Sequence, residues 1–169
     1  METTDIVQLR TAKTDLEKMD SVLDEYEGRL GLAKFQPDHA NGEEVRRYME
    51  YDRDTLEKLT PEHCIEISFL LTSFAFHLQR AKNREEGRII WAEGRMKILC
   101  TPRIQQYKAG SFSQNFDAAV IGDDYTVKIL EIRNYAAIRS KRLDYLANVI
   151  RDKAEIYKEL SRTKRNREK

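Results

Sequence analysis

The chain is poor in residues that break helices or cross-link a fold. Its 169 residues include only 7 glycines, 3 prolines and 2 cysteines, Cys64 and Cys100. Two cysteines do not make a disulfide framework, which favours a reducing compartment. The scarcity of turn-forming residues disfavours a β-sandwich and favours long helices. We therefore expect a helical protein of the cytoplasm, or of the host cytoplasm if the protein is viral.

Long apolar runs are also missing. The most apolar stretch, residues 65–76, is interrupted by Glu66, Ser68, Thr72 and Ser73, whereas a membrane-spanning helix needs about 20 predominantly apolar residues. Residues 1–5 are polar and acidic, unlike the start of a signal peptide. Only 40% of the residues are hydrophobic and 35% are charged. This composition predicts helices with narrow buried stripes and no membrane partner.

Familiar catalytic and metal-binding motifs are absent from the sequence. His63 and His77 lie fourteen positions apart, and no Cys-x-x-Cys, His-Glu-x-x-His or glycine-rich phosphate loop is found. Carboxylates are abundant, but they lie in polar segments without the apolar surroundings that shift a pKa. We expect a protein that binds and assembles, that is not an enzyme and that uses no cofactor.

Two helices are predicted in the first 59 residues. Residues 5–29 carry apolar side chains at mostly three- and four-residue steps, which indicates an amphipathic helix. Gly28, Gly31 and Pro37 then mark a break, and residues 43–59 form a shorter, mostly polar helix.

Two long helices are predicted to follow. Thr60 supplies a capping hydroxyl and Pro61 stands at the first helical position, so a helix starts there and runs until Pro102. Residues 109–123 are predicted to be a break. Asp123 and Asp124 then favour the start of a last helix, which reaches about Arg162. Residues 163–169 are predicted to form a disordered basic tail.

The last helix carries a sustained heptad pattern. Eight of ten positions at strict three- and four-residue spacing are apolar, and a neighbouring row widens the stripe. The ten are Ile129, Ile132, Ala136, Arg139, Leu143, Leu146, Ile150, Lys153, Tyr157 and Leu160, and the neighbouring row is Tyr135, Ile138, Tyr145, Val149 and Ile156. Arg139 and Lys153 are unusual in such a stripe, and mark either the end of the partner helix or a carboxylate on it.

The predicted fold is therefore all-α. We expect a long antiparallel, coiled-coil-like helical hairpin over residues 60–162, preceded by an acidic helical region over residues 1–59 and followed by the basic tail at 163–169. Because the stripe requires a helical partner, that partner lies within the chain or in another subunit.

Charge is distributed unevenly along the chain. Residues 1–62 hold 9 Lys/Arg against 16 Asp/Glu, a balance of −7. Residues 80–110 hold 8 against 3, a balance of +5, and residues 139–169 hold 11 against 5, a balance of +6. An acidic front and two basic segments suggest a surface that faces a polyanion, although charged helices also need solvated faces.

Arginines recur along one side of the first long helix. Arg80, Arg84, Arg88 and Arg95 are three, four or seven residues apart, with aromatic residues nearby in sequence. Basic side chains neutralise phosphates and aromatic rings stack on unpaired bases, so this pattern suits single-stranded nucleic acid. The alternative is that Trp91 belongs to the core and the arginines pair with Glu85, Glu86 and Glu93.

The order of elements between residues 83 and 158 is distinctive. A basic helix ends in Arg103-x-x-x-Tyr107 before Gly110, a loop leads into residues 120–127, and a long helix carries residues 143–146 and Ile150. In this order the segment resembles phage recombination mediators of the UvsY type. Those are small, helical, oligomeric proteins that bind single-stranded DNA and help a RecA-like recombinase displace the single-strand-binding protein.

The resemblance implies a DNA-binding site at the end of the basic helix. In that family a Lys/Arg pair just before the loop is associated with single-stranded DNA. Arg103 matches the arginine, whereas Thr101 stands where the lysine would be. We expect phosphate contacts and one stacking residue, Tyr107, at the following positions: Arg88, Arg95, Lys97, Arg103, Tyr107 and Lys108.

Three functions remain open at this point. The first is a non-enzymatic, homo-oligomeric recombination mediator whose partners are single-stranded DNA, a RecA-like recombinase and a single-strand-binding protein. The second is an oligomeric coiled-coil scaffold or phage assembly protein without specific nucleic-acid binding. The third is a transcription or replication accessory protein whose acidic residues 1–60 bind a polymerase or nuclease. That acidity could also mask the basic surface when DNA is absent.

Overall fold

The structure is a computed structural model that describes residues 2–30, 39–107 and 110–167, with the backbone alone at residues 2–11 and 39–41. Within these ranges every regular element is a helix. The helices are α1 (Glu2–Arg29), α2 (His39–Glu50), α3 (Arg53–Lys58), α4 (Pro61–Ile104), α5 (Phe112–Ile121) and α6 (Asp124–Arg167). The long helices α4 and α6 pack against each other in a hairpin, which confirms the predicted fold class.

The predicted starts of both long helices are confirmed. Thr60 Oγ1 accepts a hydrogen bond from the backbone N–H of His63 at 3.2 Å, at the beginning of α4. Asp123 Oδ2 accepts one from the N–H of Thr126 at 3.0 Å, at the beginning of α6. Each oxygen satisfies one of the first N–H groups, which have no acceptor inside the helix.

The predicted helix over residues 43–59 is two helices instead. α2 ends at Glu50, and Asp52 caps the start of α3 by accepting a hydrogen bond from the N–H of Thr55 at 2.9 Å. An aspartate at this position competes with the backbone for the N–H groups, which ends one helix and begins another.

The break predicted at residues 109–123 contains a short helix, α5. Ser111 Oγ accepts a hydrogen bond from the N–H of Gln114, and Gln114 Oε1 accepts one from the N–H of Ser111. This reciprocal pair is a capping box, whose Ser-x-x-Gln signature is visible in the sequence. α4 also runs two residues past Pro102, to Ile104, instead of ending at the proline.

α6 is longer than predicted, because residues 163–167 continue the helix instead of forming a disordered tail. Lys164 Nζ donates hydrogen bonds to the carbonyl oxygens of Leu56 and Glu57, at 2.9 and 2.8 Å, and also to that of Leu59. These carbonyls lie at the C-terminal end of α3, where few backbone N–H groups remain to donate to them. A cation at this position completes the end of α3 and holds the last turns of α6 in place.

The buried stripe of α6 is rotated from the predicted one. Eight of the ten predicted positions are buried or half-buried, with Ile132 and Leu160 half-buried against the cores. The second fully buried row, however, lies one residue further along the helix and consists of small residues, while Leu146 is exposed. The buried positions are Thr126, Ile129, Ala136, Ser140, Ala147, Ile150, Ala154, Tyr157 and Ser161. Small side chains allow two helices to pack at short distance, and α4 likewise buries Cys64, Ser68, Ala75, Ala92 and Cys100.

The chain divides into two compact units, to both of which α4 and α6 contribute. The first unit comprises residues 1–33 and 83–140, and its core includes Ala92, Met96, Val120 and Ile129. The second comprises residues 34–82 and 141–169. Its core includes Leu71 and Tyr157, and the Tyr157 hydroxyl donates a hydrogen bond to the carbonyl oxygen of Tyr48 at 2.6 Å.

Candidate nucleic-acid interface

In the first unit, α1 places aspartates against three arginines of α4, which we call the arginine row: Arg84, Arg88 and Arg95. Arg88 meets Asp20 at two points, with Nη2–Oδ2 at 2.7 Å and Nε–Oδ1 at 3.2 Å. The other two arginines bond through one nitrogen each, Arg84 to Asp24 and Arg95 to Asp15, the latter at 3.4 Å. The acidic N-terminal helix therefore lies on the basic side of α4.

A buried carboxylate extends this network from α4 to α6. Glu85, only 8% exposed, accepts hydrogen bonds from Arg88 Nη1 at 2.8 Å and from Arg139 Nη2 at 2.9 Å. The hydrogen bond with Asp20 and the nearby Glu85 raise the pKa of Arg88, although its partial burial opposes this. Of the two explanations for Arg139 in the apolar stripe, the structure thus supports a carboxylate supplied by the partner helix.

The arginine row has donor groups that α1 does not use. The Nε atoms of Arg84 and Arg95 are buried and have no hydrogen-bond partner among the described residues. Arginine carries five N–H donors in a planar fork that matches two oxygens of a carboxylate or phosphate. Only Arg88 is engaged in this two-point manner, so the fit of α1 to the row is incomplete.

The sequence-predicted DNA-binding residues have different surroundings in the structure. Arg88 and Arg95 belong to the arginine row, and Arg103 pairs with Asp123 at 2.9 Å. Lys97 is exposed and makes no ion pair within the described part of the chain. Tyr107 is half-buried and packs against the core of the first unit, and Lys108 lies outside the described residues.

The alternative explanation of these arginines is correct in part. Trp91 is half-buried against the core of the first unit, and Glu85 does pair with Arg88. Glu93, however, pairs with Arg133 of α6 at 3.0 Å. The main partners of the arginine row are the aspartates of α1, which lie 60 to 80 residues away in sequence.

A basic and aromatic cluster that the sequence analysis did not single out lies on α6, in the second unit. This cluster, the α6 basic patch, consists of Lys141, Arg142 and Tyr145. All three side chains are exposed, Tyr145 by 69%, and together with Leu146 they line a shallow depression. Neither cation has a carboxylate partner among the described residues. The positive balance of residues 139–169 and the one-turn spacing were the signals that could have identified it.

Neutral groups hold other cations of the second unit, among them Arg151, for which no carboxylate partner is found among the described residues. Arg151 donates hydrogen bonds to two neutral amide oxygens, those of Asn148 and Gln79, each at 3.0 Å. Lys153, the second unusual residue of the predicted stripe, lies over the ring of Tyr157 at 5.7 Å. A cation held by a neutral partner keeps its full charge available to a passing anion.

Two features are absent from the described part of the chain. No helix there is long and apolar enough to cross a membrane. No group of three or more His, Cys, Asp or Glu side chains is placed to hold a metal ion, again within the described residues.

Comparison with protein-family models, with curated proteins and with solved structures gives no match for this chain. The arginine row and the α6 basic patch are therefore the features that bear on its function. The resemblance of residues 83–158 to recombination mediators contributes an expectation that experiments can test.

Proposed function

We propose that this protein binds single-stranded DNA as a non-enzymatic recombination mediator. The observation that carries the proposal is the α6 basic patch, where two cations without carboxylate partners flank an exposed tyrosine on one face of a helix. Lysine and arginine neutralise phosphates and release their counterions, and a tyrosine ring stacks on an unpaired base.

The proposal favours single strands over duplex for a physical reason. Stacking on an aromatic ring requires a base whose face is accessible, and the bases of a duplex already stack on each other. Tyr145 projects from an exposed helix face with Lys141 one turn before it. The cations would hold the backbone while the ring takes a base, without reading its sequence.

The protein partners in this proposal follow from the resemblance of residues 83–158. A mediator helps a RecA-like recombinase to form on DNA that a single-strand-binding protein covers. Homo-oligomers would serve this role, since several weak patches on one strand raise the apparent affinity.

The first test measures binding by fluorescence anisotropy of a labelled oligo-dT, titrated at several salt concentrations beside a duplex of equal length. We expect preferential binding to the single strand. The double substitution Lys141→Ala/Arg142→Ala should flatten the slope of log K against log salt by about 1.4, because two phosphate contacts contribute about 0.7 each. Tyr145→Leu should weaken binding by about 1–3 kcal/mol with little change in that slope.

A matched control removes the same charge from another part of α6. Lys158 and Arg162 pair with Glu155 and Glu159 on the same helix, at 3.0 and 3.1 Å. Lys158→Ala/Arg162→Ala should leave the slope almost unchanged. Absence of binding at low salt, or equal losses in the two double variants, would contradict the proposed surface.

The mediator role has its own assay. Single-stranded DNA is covered with a bacterial single-strand-binding protein, and the DNA-dependent ATPase of RecA reports how fast the recombinase assembles. We expect this protein to shorten the lag, and the Lys141→Ala/Arg142→Ala variant to lose that effect. If the protein binds oligo-dT but does not change the lag, it binds single-stranded DNA without acting as a mediator for RecA.

A second candidate function, an oligomeric coiled-coil scaffold, is supported by a different observation. Ile65, Phe69 and Phe76 of α4 are 39%, 76% and 54% exposed, and their spacing places them on one side of the helix. Apolar surface of this kind commonly marks an interaction site. Analytical ultracentrifugation of the Phe69→Ser/Phe76→Ser variant tests it. Self-association lost in this variant, in a protein that does not bind oligo-dT, would favour the scaffold.

A further inference from the structure

We propose that the arginine row of α4 is a second binding surface for single-stranded DNA, which α1 occupies in the free protein and leaves when DNA binds. This inference rests on the proposed function, because it names the site and the internal competitor of the same ligand. In the free protein the aspartates of α1 would take the places of phosphate groups.

The spacing of charges on α1 supports this exchange. Asp15, Asp20 and Asp24 are four or five residues apart, which is about 6–7.5 Å along a helix axis, and each meets one arginine of the row. Carboxylate and phosphate oxygens both accept paired hydrogen bonds from a guanidinium. α1 thus presents a line of anionic groups to a line of arginines, as the backbone of a DNA strand would.

The quality of the contacts also supports it. Two of the three arginines bond to α1 through a single Nη2 atom and keep a buried Nε without a partner among the described residues. Leaving a buried N–H without an acceptor costs about 1–3 kcal/mol. A backbone phosphate, whose two charged oxygens can be bound by Nε and Nη2 together, can satisfy donors that α1 leaves unused.

Few apolar side chains attach α1 to the rest of the first unit. Among its described side chains only Ala12 is buried, while Leu16, Met19 and Leu23 are half-buried and Val22 and Tyr26 are exposed. Cross-helix ion pairs that are partly open to solvent contribute about 0.2–1 kcal/mol each. α1 therefore depends to a large extent on charge pairs, and those are the contacts that a polyanion can replace.

The exchange predicts a specific effect of neutralising α1. Asp20→Asn/Asp24→Asn removes two competitors of the phosphates while the arginines stay in place. We expect binding of oligo-dT to become about 2- to 30-fold tighter at low salt, the fold-change that corresponds to two such pairs. The slope of log K against log salt should steepen, since the wild type must break two salt-sensitive ion pairs to bind the same phosphates and the variant has neither pair to break.

The matched control changes the same net charge on the same helix. Glu17 and Glu25 pair with Lys13 and Arg29 of α1 itself, and not with the arginine row. Glu17→Gln/Glu25→Gln should therefore raise the affinity only slightly and leave the salt slope unchanged. Equal steepening in both double variants would show a general charge effect and would overturn the inference.

A second measurement follows α1 directly in the unmodified protein. Hydrogen exchange of the backbone amides of residues 12–30 is recorded by mass spectrometry with and without saturating oligo-dT. We expect faster exchange in this segment when DNA is bound, because α1 no longer packs on α4. Unchanged or slower exchange in DNA-saturated protein would overturn the inference, even if the aspartate variant fails to fold.

The outcomes separate this inference from the proposed function. Binding by the wild type with no change of slope and no change of exchange overturns the inference alone. Absence of binding by the wild type and by the Asp20→Asn/Asp24→Asn variant overturns both. Binding by the variant alone supports the inference, since it shows that α1 blocks the arginine row.

Discussion

Glu85 of α4 and Arg139 of α6 meet across the helical hairpin, with 2.9 Å between Oε2 and Nη2. The same carboxylate accepts a hydrogen bond from Arg88, which in turn reaches Asp20 of α1. One buried acidic side chain therefore links three helices of the first unit. A buried carboxylate needs such partners, because an unpaired charge away from water is strongly unfavourable.

Glu85→Gln should lower the free energy of unfolding by about 1.5–3 kcal/mol, since hydrogen bonds to a charged group are worth that much. Glu93→Gln is the control, because Glu93 also pairs with an arginine of α6, Arg133, but is 43% exposed in its side chain. This second change should cost less than about 1 kcal/mol, as is usual for exposed pairs. Urea unfolding measures both, and a larger loss for Glu93→Gln would contradict the central place of Glu85.

Tyr157→Phe tests the core of the second unit. The Tyr157 hydroxyl is buried and donates a hydrogen bond to the carbonyl oxygen of Tyr48, and burial raises the pKa of Tyr157 to about 12. Removing the hydroxyl leaves a buried carbonyl without its donor, at a cost of about 1–3 kcal/mol in urea unfolding. Tyr26→Phe, at a side chain that is 61% exposed, should change stability by less than about 0.5 kcal/mol.

Lys164→Met tests whether residues 163–167 belong to the folded structure. The Lys164 ammonium group donates to three carbonyl oxygens at the end of α3. Its loss should reduce the free energy of unfolding by about 1–3 kcal/mol. Arg167→Met removes an exposed charge three residues later and should have almost no effect. Equal behaviour of the two variants in urea unfolding would indicate that this end of α6 contributes nothing to stability.

Asp123 should make stability depend on acidic pH. Burial alone would raise the pKa of Asp123, but hydrogen bonds from the Thr126 N–H and from Arg103 together lower it. A carboxyl group with a lowered folded-state pKa contributes stability above the pKa of the unfolded chain, about 3.9, and loses it as pH falls through the folded-state value. Asp123→Asn loses the partly buried charge pair with Arg103. The variant should therefore be less stable than the wild type by about 1 kcal/mol near pH 7.

The pH series provides the check on that prediction. The difference in free energy of unfolding between wild type and Asp123→Asn should stay constant from pH 7 to about pH 5 and shrink below about pH 4. A difference that persists unchanged at pH 3 would show that the Asp123 charge does not stabilise the fold.

The local features of the helices were predictable because they depend on neighbouring residues. Thr60 and Asp123 cap the helices that the sequence assigned to them, since a side-chain oxygen reaches an N–H group three residues later. Asp52 and Ser111 cap α3 and α5 by the same chemistry, although a single helix was predicted over residues 43–59 and a break over residues 109–123. Both signatures are visible in the sequence, because each capping oxygen lies three positions before the residue whose N–H it accepts.

The orientation of α6 was not predictable in the same way. The largest apolar side chains suggested a stripe through Ile132 and Leu146, but the structure buries Ser140 and Ala147 more fully, leaves Ile132 half-buried and leaves Leu146 46% exposed. Which side of a helix becomes buried depends on how closely its partner can approach, and small residues allow the closest approach. Hydrophobicity along one chain segment contains no information about that distance.

The sequence by itself determined that this protein is a helical hairpin with an acidic beginning and basic segments, because helix periodicity, capping and net charge are local properties. Only the tertiary structure decided that Asp20 lies on Arg88, 68 positions away, and that Lys141 and Arg142 have no acidic partner among the described residues. Ion pairing depends on distances of a few ångströms between groups far apart in the chain, and folding sets those distances. The tertiary structure therefore determined which cations are already paired and which are open to a polyanion.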